Sequence, residues 1–175
     1  KGIDVTQYQK RIYYFPAFGE CKNGIGEIGS FPGVNDSLRS WVFDSCYTRE
    51  ASINILAHEV GHNLGLMHSN VLEDNAMIEY GDTSDFMSVT NTSLRFLNAV
   101  HTNYLNFLKD QEVFTVDSGV SRNFMLNIMS LHKESDSALT RIVKVPIDDQ
   151  NFYYVSYRSG TGYDSGLSSE HKNRV

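Results

Sequence analysis

One run of eleven residues constrains this chain more than any other: His58-Glu59-Val60-Gly61-His62-Asn63-Leu64-Gly65-Leu66-Met67-His68. Residues four apart on a helix are neighbours, with Cβ atoms roughly 5–6 Å apart, so His58 and His62 can share one ion as long as the segment stays helical. A third ligand has to arrive from another direction. His68 can supply it if the chain turns sharply after His62, and Gly65 permits that turn because glycine adopts positive φ without a Cβ clash. Two histidines and a glutamate at this spacing arise by chance in about 0.5% of chains of this size; adding Gly65 and His68 at fixed offsets lowers that to the order of 10⁻⁵. Reading these histidines as ordinary core residues is therefore the weaker alternative.

Three imidazoles leave one position of a tetrahedral zinc open, whereas a structural zinc closes all four with protein ligands, often cysteine. Cys21 and Cys46 both lie outside the run. Zinc at about 2.0–2.1 Å from each nitrogen acidifies a bound water toward a pKa of about 7. Glu59 lies about 100° around the helix from His58. It can reach that water without binding the metal, take its proton as general base and pass it to a leaving amine. The expected site is one catalytic zinc on His58, His62 and His68, with Glu59 as the base.

The zinc helix is expected to begin at Thr48 as N-cap, with Glu50 in the first turn, and to end at Gly65. At 100° per residue Ile53, Leu56, Ala57, Val60 and Leu64 share one face. That face is expected to be buried, with the imidazoles offered on the other. Upstream, residues 11–15 read as a strand stopped by Pro16. Gly24, Gly26 and Gly29 surround a short strand near 25–28, either an edge strand or one that another backbone approaches closely. Residues 69–90 read as a loop. A second helix is expected over 93–109, capped by Thr92 or Ser93, with Leu94, Leu97, His101, Tyr104, Leu105 and Leu108 at helical spacing. Beyond it, strands are expected at 113–116, 124–129, 141–145 and 152–157. The fold class is α+β, organised as a metal-binding domain over 1–111 and a β-rich segment over 112–175.

Composition excludes several partners. The net charge of −6 lacks the basic footprint of a nucleic-acid binder. No Lys/Arg run is present to hold an anionic membrane, and no apolar stretch approaches the roughly 20 residues of a membrane span. The sequons at Asn35 and Asn91 lend weak support to secretion. Cys21 and Cys46 form one bridge or remain two thiols. The chain starts at Lys1 and ends after a polar run, so both ends are expected to be cuts from a longer protein.

The eleven-residue run resembles the extended zinc motif of the metzincin proteases, which carry a tight methionine turn beneath the ligands. Met87 is the candidate for that turn, ahead of Met77; on composition alone it is equally core filler. Within the metzincins the chain resembles the gametolysin family. The matching features are Tyr80-Gly81-Asp82, Asn98-Ala99-Val100-His101, Phe15-Pro16, Cys21, Gly24, Gly26, Gly29 and Trp41. Farther on are Tyr153-Tyr154-Val155-Ser156-Tyr157-Arg158 and Gly162-Tyr163-Asp164. Together they span roughly residues 11–165.

The resemblance implies a metzincin-type domain with the zinc helix as the floor of a cleft. The glycine-rich strand, with Gly26 and Ile28, would form the upper rim, where an extended protein or glycoprotein substrate pairs as an added strand. Ser88, Val89 and Thr90 would wall the pocket for the residue after the scissile bond. The implied activity is hydrolysis of internal peptide bonds in extracellular proteins. Three departures stand against the pattern. Only 57 residues precede His58, so part of the N-terminal lobe is expected to be absent. Val89 stands where some metzincins carry a tyrosine. Any cysteine-bearing inhibitory pro-region would lie upstream of Lys1. Two other readings stay open: an inactive zinc-binding fragment or pseudoenzyme, and a zinc hydrolase of small amides. Asn63 and Ser69 are candidates to orient the ligating histidines. Asp82 and Asp85 are expected to cap turns rather than bind calcium, which needs six to eight oxygens. His101 is expected to be a helix residue, not a ligand.

Overall fold

A computed structural model describes residues 2–16, 24–30, 37–43, 49–89, 95–117, 119, 121, 123, 125–127, 129 and 139–175. Within them the chain is mixed α/β, with three small sheets and two α-helices. It divides into two compact units, Lys1–Leu94 and Arg95–Val175. This division and the boundary at 111/112 drawn from the sequence differ by the segment 95–111. Cys21, Cys46, Thr48, both sequon asparagines and Thr90 lie outside the described residues.

In the first unit, strands β1 (Lys10–Phe15), β2 (Gly24–Gly26) and β3 (Leu38–Phe43) form a sheet in the order β1-β3-β2. β3 runs parallel to β1 and antiparallel to β2. β2 is thus an edge strand, as its glycines suggest. β3 alternates: Ser40 and Val42 are buried while Arg39 is exposed. On its other face Trp41 stacks against Tyr13 and carries the Arg39 guanidinium. Helix α1 (Arg49–Asn63) lies on β2 and β3.

The orientation of α1 corrects the sequence reading. Ile53 is exposed and Leu56, Ala57, Val60 and Leu64 are only half-buried. The buried side carries Ala51, Asn54, Ile55, His58, Glu59, His62 and Asn63. Polar contacts dock it. Asn63 donates its amide to the carbonyls of Glu27 (2.7 Å) and Arg39 (3.2 Å). Ser40 donates to Asn63 Oδ1, and Gly29 N–H to the His62 carbonyl. A buried polar side is stable only when so paired, and apolar periodicity does not register such pairing. Asn63 therefore ties the helix to the sheet and does not orient a histidine.

Residues 69–90, expected as a loop, contain a hairpin of β4 (Val71–Glu73) and β5 (Ala76–Ile78). Its two turn residues, Asp74 and Asn75, have φ of 49° and 63°, the requirement of a type I′ turn that matches strand twist.

In the second unit, α2 is Ala99–Tyr104, shorter than the expected 93–109. Asn98 caps it, its side chain accepting the His101 N–H. The chain leaves the helix at Asn106, in the left-handed region (φ 52°). Strands β6 (Val113–Thr115), β7 (Ile142–Pro146) and β8 (Phe152–Ser156) make the sheet β6-β7-β8. The expected strand at 124–129 includes residues outside the described set, and those described there form no ladder. Ala99, Leu108, Met129 and Ile142 form the core, flanked by Phe96, Val113 and Tyr154. Two buried ion pairs cross this unit, Arg141–Glu112 and Arg158–Asp164.

Candidate metal centre

The end of α1 builds the site. Gly65 has a φ of 87°. Its N–H bonds the His62 carbonyl (2.9 Å), and the Leu66 N–H bonds the Gly61 carbonyl (3.0 Å). This is the paired closure of a Schellman motif, which needs a left-handed residue at that position. The turn also delivers the Leu66 carbonyl to His62 Nδ1 at 2.8 Å, and it sends the chain back so that His68 meets the helix.

His58, His62 and His68 offer ligand atoms all within 4.8 Å of one another. The ring centroids are 4.8, 4.9 and 5.3 Å apart. Each ring has its Nδ1 engaged: His58 with the Phe86 carbonyl (3.0 Å), His62 with the Leu66 carbonyl, His68 with Glu79 Oε1 (2.6 Å). A carbonyl only accepts, so Nδ1 of His58 and His62 must carry the proton. Nε2 is then the free lone pair, the arrangement metal-ligating histidines adopt. Burial pushes the His58 pKa down to about 4, and lowers that of His62 as well. Near neutrality both are imidazoles, the form that ligates. The donor set fits a borderline cation such as zinc.

Glu59 is 5% exposed. Burial pushes its pKa up to about 7, opposed by a hydrogen bond from the Gly26 N–H. The glycines of β2 make this closeness possible. A Cβ on Gly24 would lie 2.6 Å from Glu59 Cγ, and one on Gly26 2.6 Å from the Glu59 carbonyl oxygen. Ile28, expected at the substrate rim, and Val89, expected in the pocket wall, are exposed. Ser88 is not a wall residue: it is fully buried and donates to the Tyr80 carbonyl.

Met87 is fully buried. Asp85 accepts its N–H (2.6 Å) and Ser69 donates its own N–H to the Met87 carbonyl (3.0 Å). Asp82 accepts from the backbone and hydroxyl of Ser84, so both aspartates serve turns. The Met87 sulfur rests against Gly61, where a Cβ would overlap it. Gly61→Ala is therefore expected to destabilise the chain by up to about 2 kcal/mol, an overpacking cost of about 1–3 offset by the roughly 1 that alanine gains inside a helix, whereas Met87→Leu should cost less than about 1.5. Chemical denaturation of both variants measures the effects; a Gly61→Ala variant stabilised by the full helix gain would disprove the contact.

Reasoning from the sequence passed over Gly61, Glu79 and the Tyr80 ring. The one sequence signal near them was the Tyr80-Gly81-Asp82 run upstream of Met87.

A helix carrying two histidines and a buried glutamate, closed by a glycine turn onto a third histidine, defines a candidate metallopeptidase centre. The chain belongs to the gametolysin peptidase M11 family, which matches residues 6–175. No curated protein and no solved structure matches it significantly.

Proposed function

We propose that this chain is a zinc-dependent endopeptidase of metzincin type, acting on extended protein or glycoprotein substrates outside the cell. The observation that carries the reading is the convergence of His58, His62 and His68, with the buried Glu59 next to His58 on the same helix, in a member of a peptidase family. The order of zinc helix, glycine turn, third histidine and buried methionine turn supports the metzincin assignment. His58, His62 and His68 hold the ion. When bound, zinc supplies Lewis acidity, lowering the pKa of a water and polarising a carbonyl. Glu59 takes the proton of the attacking water on its carboxylate and returns it to the leaving amine nitrogen. The Gly26 amide and the tight cover of β2 hold that carboxylate in place. The edge strand β2 and the exposed Ile28 that follows it pair with substrate backbone, Gly26 through its carbonyl because its N–H is taken by Glu59, and Val89 lines the far side of the scissile bond.

No described helix is long and apolar enough to cross a membrane. The extracellular setting rests on the sequons at Asn35 and Asn91. The test of the ligand set is metal content: the wild-type chain should retain one zinc through gel filtration, and His68→Ala should lose most of it. Undiminished zinc in that variant would show that the third ligand lies elsewhere.

A further inference from the structure

His58 and His62 are oriented by the helix that carries them and by backbone carbonyls. His68 has neither support. It lies beyond α1, its side chain is 23% exposed, and its Nδ1 partner is a side chain, Glu79. We propose that Glu79 and Tyr80 are positioning residues for this third ligand, gripping the His68 imidazole by its edge and its face and so setting the metal affinity of the site. The proposal rests on the reading that the three histidines hold zinc.

Glu79 Oε1 lies 2.6 Å from His68 Nδ1. A carboxylate oxygen there accepts the Nδ1 proton and leaves Nε2 free. The Tyr80 ring covers the imidazole face, with centroids 3.9 Å apart and planes 33° apart, and reaches toward His58 at 6.1 Å. Two consecutive residues on one ring are unusual, because extended chain sends successive side chains to opposite faces. The backbone of Tyr80 breaks that alternation, with φ of 62°.

A bulky residue occupies the left-handed region only where its surroundings over-determine it. Here they do. Asn70 Oδ1 accepts the Tyr80 N–H (3.0 Å), and Ser88 Oγ donates to the Tyr80 carbonyl (2.6 Å). The β4–β5 hairpin returns the chain to this point, and the Asp82 N–H bonds the Ser69 carbonyl (3.1 Å), closing the loop beside His68. A strained residue, clamped on both sides of its backbone and stacked on a metal ligand, is the signature of a shaped site rather than of core filling. The Glu79 side chain is 64% exposed, so water competes for it. Its removal should fall at the low end of the 10–100-fold range for partners of metal ligands.

The experiment measures zinc affinity of the folded chain by competition with a chromophoric chelator. The variants are Glu79→Gln, Glu79→Ala, Tyr80→Phe, Tyr80→Ala and, as reference, His68→Ala. Glu79→Ala and Tyr80→Ala should each weaken zinc binding about tenfold. Glu79→Gln should lose less, because its amide oxygen still accepts, and Tyr80→Phe should match wild type. Tyr80→Leu, which keeps bulk without a flat ring, replaces Tyr80→Ala if the latter does not fold. Nitrogen-15 NMR of the metal-free protein adds a readout that mere loss of stability would not move. The His68 proton should leave Nδ1 for Nε2 in Glu79→Ala and stay on Nδ1 in wild type. Wild-type affinity in both alanine variants, alongside a weakened His68→Ala, overturns this proposal alone. Wild-type affinity in His68→Ala overturns the zinc reading beneath it.

Discussion

Glu59→Gln is expected to keep its zinc and its fold while peptide hydrolysis falls on the order of 10³–10⁴-fold, the upper range for losing a general base. The glutamine keeps the volume and removes the titrating carboxyl. That matters because Gly24 and Gly26 pack directly onto Glu59, so Glu59→Ala would also open a cavity beneath β2. Both variants should lose turnover, and the alanine variant should in addition be less stable. Cleavage of denatured casein, zinc content and circular dichroism separate the effects. A metal-loaded, folded Glu59→Gln with near-normal turnover would remove Glu59 from the mechanism.

Arg158→Ala should destabilise the second unit by about 3–5 kcal/mol, the loss typical of stranding one partner of a buried ion pair. Arg158 is 6% exposed and Asp164 is fully buried. The guanidinium Nε donates to Asp164 Oδ2 at 2.8 Å, and Nη2 donates to Oδ1 and to the Phe96 carbonyl. Asp164 Oδ1 also accepts the Phe96 N–H at 3.0 Å. Without Arg158 a buried carboxylate keeps one backbone donor and no counter-charge. Replacing both, as Arg158→Met with Asp164→Leu, should recover part of the loss but leave the Phe96 amide without its acceptor. Chemical denaturation measures the series. A loss below about 1 kcal/mol in Arg158→Ala would mean that water reaches the pair.

The run from His58 to His68 was legible because ligand geometry leaves little freedom: helix spacing for two histidines, a left-handed glycine, then the third. The strands at 113–115, 142–146 and 152–156 were legible from β-branched and aromatic runs between turn residues, and the edge character of β2 from its glycines. What failed did so for physical reasons. β3 was missed because Arg39 and Ser40 interrupt its apolar pattern, although Ser40 is buried by bonds to Glu59 and Asn63. The buried face of α1 was reversed because its core side is polar and hydrogen-bonded, and periodicity counts only apolar residues. The β4–β5 hairpin was hidden by three-residue strands and an Asp-Asn turn. The grip of Glu79 and Tyr80 on His68 is a tertiary consequence of that hairpin, and no local pattern announces it.

Chelation followed by zinc return is the most direct test of the central claim. Cleavage of denatured casein is measured for the untreated chain, after a strong zinc chelator, and after stoichiometric zinc is restored, with His68→Ala carried through the same steps. The account predicts activity that disappears on chelation and returns with zinc in the wild-type chain, and none that stoichiometric zinc restores in His68→Ala. Cleavage that continues undiminished in the chelated wild-type chain would contradict it.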